Sequence, residues 1–224
     1  MNEKIKNTKQ TLILSGLKLF GEYGLTATST RMLAEDANVN LAAIKYHFKN
    51  KEGLYHAVIA DITSRLSSGN SQFIKTVAVE IEDSKISVTR AKEIYKKLLL
   101  NIANLFITND ESKYWIKIIM REQASPTIAF EIIYNGHLKQ ILNMFLKLSS
   151  TIYGCDVDNK LIAIRQQIML GQILGFVVAR ESFKRMSNQN DIKELKTKII
   201  QQISICIDAI ISTPLKAPLI TNTN

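Results

Sequence analysis

The stretch Ser29–Phe48, STRMLAEDANVNLAAIKYHF, concentrates side chains that could meet a charged partner. Leu33, Ala34, Ala37, Val39, Ile44 and Phe48 fall where two short helices joined by a tight turn must bury apolar groups. Ala34 and Ala37 are small where such helices cross, and Asn38 stands at the turn, where a left-handed backbone is wanted and Asn tolerates it. Burying Ile44 and Phe48 leaves Ala42, Ala43, Lys45 and Tyr46 facing out. A small surface carrying a lysine and a tyrosine can enter a DNA major groove without clashing. Other chemistries find little support. The histidines at 47, 56 and 137 have no metal-ligand spacing, so no metal site is expected. Cys155 and Cys206, far apart, suit neither a disulfide framework nor zinc, and Cys155 has no base close by in sequence. GxGxxG, phosphate-loop, GxSxG and HExxH patterns are absent. An enzyme is therefore not expected, and no cofactor is implied.

The elements needed to hold that outward face are readable as helices, about nine of them. With 9 Gly and 3 Pro in 224 residues, turn signals are too sparse for a strand-rich fold. The first helix runs from about Lys4 to Tyr23, with Ile13, Leu17, Phe20 and Tyr23 on one face and Gly24 ending it. The second spans about 30–37, after Thr28 and Ser29, whose hydroxyls can cap it; the third spans about 41–48. Asn50 caps a fourth helix with Leu54, Tyr55, Val58, Ile62 and Leu66 inside. Breaks are expected at 67–71 and 82–85. A fifth helix follows to about Thr108, and Asn109-Asp110 separates it from a sixth at 111–123. Ser125-Pro126 reads as cap and first residue of a seventh helix reaching Tyr153. An eighth spans about 158–186 and a ninth about 191–212. The resulting expectation is an all-α chain. Residues 1–50 form a three-helix helix-turn-helix domain and 51–68 a connecting helix. Residues 69–212 form a helical ligand-binding and dimerisation domain, and 213–224 a flexible tail.

Bulk composition adds less. The net charge of +9 suits a polyanion, yet residues 1–65 carry only nine basic against six acidic residues, so the excess is not gathered at the helix-turn-helix. The polar start Met1–Gln10 has no secretory hydrophobic region. The longest apolar stretch, Ile168–Ala179, falls short of the roughly 20 residues that span a bilayer. It reads as a buried helix of a soluble, cytoplasmic protein without a membrane partner.

Residues Lys9–Leu66 resemble the TetR family. The carriers are Leu19-Phe20, Tyr23-Gly24, Thr30-Arg31-x-Leu33-Ala34, Ala43-Ile44-Lys45-Tyr46-His47-Phe48 and Lys49-Asn50-Lys51-Glu52-Gly53-Leu54. Asn38 departs from the glycine usual before Val39. Leu41-Ala42-Ala43-Ile44, with Arg121-Glu122-Gln123 and Pro126, looks like the CecR-type branch. The resemblance implies a sequence-specific DNA-binding regulator, a ligand-responsive repressor acting as a homodimer on a palindromic operator. It implies that Thr30 meets a phosphate and Arg31 a base edge or phosphate, that Leu41, Ala42, Ala43 and Lys45 face the groove, and that Tyr46 and His47 touch backbone phosphates. Lys51 brings its charge, and the amides opening the fourth helix, to a phosphate. Alternatives stand beside these roles: Arg31 and Glu35 also read as an i, i+4 surface pair, Tyr46 as a packed aromatic, and His47 as a semi-buried histidine.

In TetR-type proteins the C-terminal helices form an effector pocket and a dimer interface. Polar or aromatic residues in apolar surroundings that could line the pocket are Trp115, Arg121, Glu122, Tyr134, His137 and Gln172. Arg121 or Glu122 also reads as a salt-bridge brace to the DNA-binding domain, and Trp115 as core. For the dimer, Gly171 and Gly175 let another helix approach, within the chain or from a partner. Ile199, Ile203, Ile207 and Ile210 lie on a broad apolar stripe. The competing reading is an all-helical small-molecule or partner-binding protein without specific DNA binding.

Overall fold

A computed structural model describes residues 2–68, 71–82, 86–108, 112–189 and 192–215. The expected break at 83–85, the Asn109-Asp110 separator and the tail from 216 on lie outside them. The described residues form α1 (Asn2–Ala27), α2 (Thr30–Asp36), α3 (Ala42–Phe48), α4 (Lys51–Ser68), α5 (Ser71–Glu82), α6 (Val88–Thr108), α7 (Ser112–Ala124), α8 (Ile128–Ile133), α9 (Lys139–Tyr153), α10 (Lys160–Val178), α11 (Arg180–Ser187) and α12 (Lys196–Ser212). A π turn, Tyr134–Leu138, joins α8 to α9, and a 3-10 turn, Ile192–Leu195, leads into α12. The all-helical expectation holds, with three of the nine expected segments divided in two.

Each division has a local signature. α4 ends at Ser68 and α5 begins at Ser71, within the expected small polar stretch. The 125–153 segment starts later than expected, because Thr127 rather than Ser125 is the cap. Its backbone is extended and its Oγ1 accepts the Ala129 N–H at 3.1 Å. Pro126 therefore precedes the cap instead of opening the helix. The same segment then widens into the π turn. The 158–186 segment breaks at Ala179, whose backbone leaves helical values (ψ 30°).

The molecule divides into two compact units. The first contains residues 1–72 and 110–141. Its core is built from Leu12, Leu17 and Phe20 of α1, Leu33 of α2, Ile44 and Phe48 of α3, Leu54, Val58, Ile59 and Ile62 of α4, and Trp115, Ile116 and Ile118 of α7. Tyr23, expected on the inner face of α1, is 54% exposed. The helical backbone is interrupted directly after it, at Gly24, whose φ of 81° suits a residue without Cβ.

The second unit contains residues 73–109 and 142–224. α6 packs against α10 and α12, and Tyr95, Leu98 and Leu99 of α6 share the core with Phe145 and Leu148 of α9. From α10 come Ile162, Gln166, Met169 and Ile173; from α12 come Ile199, Ile203, Ile207 and Ile211. Arg165 ties down the end of α12 by donating to the carbonyls of Thr213 (2.6 Å) and Pro214 (2.9 Å).

α10 corrects one expectation. The apolar run is longer than Ile168–Ala179: Lys160–Val178 is long and apolar enough, by length and composition, to cross a membrane. Nor is the helix buried all round. Its inner side is the four residues just named, while Leu161, Ile164, Ile168 and Val178 are exposed.

Candidate nucleic-acid interface

The α2–α3 unit is positioned by short-range chemistry. Ser29 caps α2 by accepting the Met32 N–H at 3.1 Å. Thr28, the other expected capping residue, is buried and instead donates to the Gly24 carbonyl at 2.7 Å. Asn38 takes the left-handed conformation that the turn requires, with φ 51°. α2 is tied to α1 through Asp36, which accepts from Ser15 Oγ (2.6 Å) and pairs with Lys18 Nζ (2.5 Å). The Lys18 bond and charge, helped by Ser15, hold the Asp36 carboxyl below the usual carboxylate range.

On this frame α3 buries Ile44 and Phe48 and turns its other faces outward. Tyr46 is 75% exposed, its ring standing edge-on to His47 at 4.9 Å. Lys45, Leu41 and Ala42 are exposed, while Ala43 and His47 are half-buried. Tyr46 is therefore not a core aromatic. Thr30 is half-buried at the first position of α2. Arg31 pairs with Glu35 at 2.8 Å, both side chains mostly exposed. An ion pair this exposed is weakly held, so a phosphate or guanine edge can draw the guanidinium away. Lys51 Nζ sits 3.5 Å from the Thr26 carbonyl at the start of α4.

Two features of this surface escaped the sequence reading. Asn40 organises the start of α3: its Oδ1 accepts the Ala42 N–H at 2.8 Å, and its carbonyl accepts the Ala43 N–H at 2.9 Å. An Asn two residues before a short apolar helix was the available signal. Lys49 has φ 72°, a reversal that brings the Phe48 carbonyl back over Gly53. Any Cβ at Gly53 would collide with that carbonyl oxygen. The angle between α3 and α4 thus depends on the lack of a side chain there.

The same compact unit carries a brace beneath α1 and α4. Arg121 Nη1 donates to the carbonyls of Phe20 (2.7 Å) and Gly21 (2.9 Å), and Nη2 donates to that of Glu22 (3.1 Å). A cation here meets the carbonyls of the turn that precedes the backbone interruption at Gly24, the negative end of that helical stretch. Glu122 is 4% exposed; its Oε1 accepts from Tyr55 OH (2.8 Å), and its Oε2 accepts from Thr127 N (3.1 Å) and Oγ1 (2.7 Å). Burial and Glu122 push the Tyr55 phenol well above its ordinary pKa, so it stays a donor. Both residues act as braces through hydrogen bonds rather than through the expected salt bridge.

The remaining candidates separate. Trp115 is buried in the first unit. Tyr134 and His137 are half-buried on the π turn of that unit. Tyr134 stacks on Phe130 at 5.9 Å, and His137 Nδ1 lies 3.1 Å from Ser67 Oγ. Gln172 is half-buried in the second unit, its Nε2 3.5 Å from Met169 Sδ. The dimer candidates are corrected in part. Ile199, Ile203 and Ile207 are each 4% exposed or less within their own chain. Exposing a buried isoleucine costs about 1.5–3 kcal/mol, so this stripe serves its own core. Ile210 is half-buried. At Gly171 and Gly175 a Cβ would meet nothing within 4 Å, so neither marks a close approach inside the chain.

Comparison with known proteins bears directly on this arrangement. Residues 12–58 match the profile described as bacterial regulatory proteins of the tetR family. Residues 91–213, more than half of the chain, match that of the C-terminal domain of the HTH-type transcriptional dual regulator CecR. The chain belongs to the TetR family, in its CecR branch. CecR of Shigella flexneri is 29% identical over 215 residues, covering 94% of each chain. The regulator YvkB of Bacillus subtilis is 29% identical over 178 residues, 79% of this chain and 84% of its own. Among solved structures, a TetR-family regulator of Mesorhizobium loti superposes with TM-score 0.57 at 12% identity, covering 93% of this chain and 96% of its own. FadR of Bacillus subtilis, solved in complex with stearoyl-CoA, superposes with TM-score 0.54 at 19% identity, covering 87% and 97%. This TetR-family chain is a DNA-binding transcriptional regulator, not an enzyme.

Proposed function

We propose that the protein is a cytoplasmic, ligand-responsive repressor that binds a palindromic operator as a homodimer. One observation carries the DNA-reading part: α3 buries Ile44 and Phe48 while presenting Leu41, Ala42, Lys45 and Tyr46 to solvent. Lys45 and the releasable Arg31 supply base contacts. Thr30, Tyr46, His47 and Lys51 meet phosphates, while Leu41, Ala42 and Ala43 fit against base methyls. Few polar groups reach the bases, so DNA shape carries a large share of the preference.

The outer face of α10 supports the dimer. Leu161, Ile164, Ile168, Gly171, Gly175 and Val178 recur at steps of three and four residues and are all exposed. Such a stripe matches a helix–helix seam, and the two glycines lower the barrier to close approach. A second copy offers the same stripe, and a dimer carries two recognition helices to an operator whose half-sites lie about one helical turn apart. An effector that favours another spacing releases the DNA. A ligand-bound protein of the same fold, FadR with stearoyl-CoA, supports an effector in this architecture.

The test is mobility shift of the full chain against the DNA upstream of its own gene, at several salt concentrations, with transcription from that promoter in its presence and absence. Repression with salt-sensitive, sequence-preferring binding is expected. Binding without sequence preference, or activation alone, overturns the reading; the second outcome matters because the relative CecR is named a dual regulator.

A further inference from the structure

Within the second unit, a hydrogen bond between two buried side chains links α6 to α10. Tyr95 of α6 is 2% exposed, and Ser149 of α9 is 3% exposed. Tyr95 OH donates to Oε1 of Gln166 of α10 at 2.6 Å. Gln166 is 4% exposed, and among the described residues its Nε2 has no hydrogen-bond partner. The pair thus ends on an amide nitrogen whose two N–H groups are buried and unused.

An unused donor of this kind is expensive, because burial removes its water and nothing replaces it. Around it stand apolar groups: the Phe145 ring lies edge-on to Tyr95 at 5.1 Å, and Ile162 and Met169 flank Gln166 one turn away on the inner face of α10. A single trapped water would be poorly held, since a buried water usually needs two to four polar partners. Arg165, next to Gln166 on α10, is taken up by the Ile210, Thr213 and Pro214 carbonyls and the Tyr153 ring. An anion would therefore compete for a cation that is already engaged, whereas a neutral oxygen acceptor meets a waiting donor.

We infer that Gln166 Nε2 is the polar anchor of an effector site between α6, α9 and α10, taking a neutral, largely apolar molecule through one carbonyl or ether oxygen. This rests on the ligand-responsive reading above and names the effector's chemical class. The surrounding side chains are closed over the pair, so a ligand enters by parting α6 from α10. Gln166 lies on the inner face of the helix whose outer face carries the apolar stripe. Displacing α10 therefore alters the surface on which the second copy docks.

The probes are acetophenone and ethylbenzene, which share a skeleton and differ by one carbonyl oxygen. Calorimetry on the full-length protein measures both, and infrared spectroscopy follows the acetophenone C=O stretch. In the native protein the stretch should fall below its value in hydrocarbon. In Gln166→Leu, the ratio of acetophenone to ethylbenzene affinity should drop about tenfold, the size of one hydrogen bond, and the stretch should return to the hydrocarbon value. Because Gln166→Leu also strips Tyr95 of its acceptor, the double variant Tyr95→Phe/Gln166→Leu removes both members of the pair and should behave alike. An unchanged affinity ratio in either variant, or an unshifted stretch in the native protein, overturns the inference. DNA release is scored separately. Acetophenone that binds through Gln166 without weakening DNA binding overturns the effector role while the binding site stands. A failure to bind DNA at all strikes the earlier reading instead.

Discussion

At the residue scale, the protein shows how one hydrogen can settle a role. Ser67 Oγ donates its proton to the Thr63 carbonyl at 2.9 Å, so the contact to His137 must be a donation from Nδ1–H, leaving Nε2 unprotonated. Burial lowers the His137 pKa. Below the unfolded-state value, near 6.5, the unfolded chain then binds more protons than the native one, so stability drops as the pH is lowered through that range. Urea midpoints at pH 7.5 and 5.5 should therefore differ more in the wild type than in His137→Gln; equal differences would refute the assignment. Glu122 offers a second case. Gln in its place cannot accept at both oxygens, which strands either Tyr55 OH or the Thr127 donors. Glu122→Gln should lose about 1–3 kcal/mol by urea denaturation, with the loss shrinking when Tyr55→Phe is added. His137 and Glu122 were both visible in the sequence as polar residues in apolar surroundings. Their partners were not, since Ser67 and Tyr55 lie about 70 residues away.

At the element scale, the turn between α3 and α4 sets how the recognition helix is presented. Lys49 takes a positive φ, and the Phe48 carbonyl lies where a Cβ of Gly53 would be. Gly53→Ala should cost about 1–3 kcal/mol through overpacking and should weaken DNA binding beyond what the stability loss explains, measured by mobility shift at a temperature where both proteins are folded. Wild-type affinity in a folded Gly53→Ala protein would show that the α3–α4 angle is unimportant. The Ser29 cap, the Asn38 turn and the Asn50 cap were legible because they are written in local residue types; Asn50 Oδ1 indeed accepts the Gly53 N–H at 2.7 Å. The Thr127 cap was not legible. Ser125-Pro126 is the stronger signal by residue type, and only the carboxylate of Glu122, five residues earlier, which takes both Thr127 donors, makes Thr127 win.

At the scale of the whole molecule, the proposed dimer rests on the exposed apolar face of α10. Ile164→Lys with Ile168→Lys places charges on that face without touching the inner residues Ile162, Gln166 and Met169. Sedimentation should show a monomer with unchanged helix content and a large loss of affinity for a palindrome relative to a half-site. A variant that stays dimeric would move the interface elsewhere. The isoleucine stripe of α12 illustrates why one sequence is insufficient here. Its period is right for an interface and equally right for a core, and burial against its own unit decides for the core.

Taken by itself, the sequence determined the all-helical class, the helix-turn-helix at 29–48 and the outward phase of Lys45 and Tyr46. These follow from periodicity and turn chemistry within twenty residues. Which apolar stripe faces solvent and which buried donor lacks a partner were decided only by tertiary structure. Each depends on groups brought together from distant parts of the chain, and periodicity carries no record of which neighbour a face will meet.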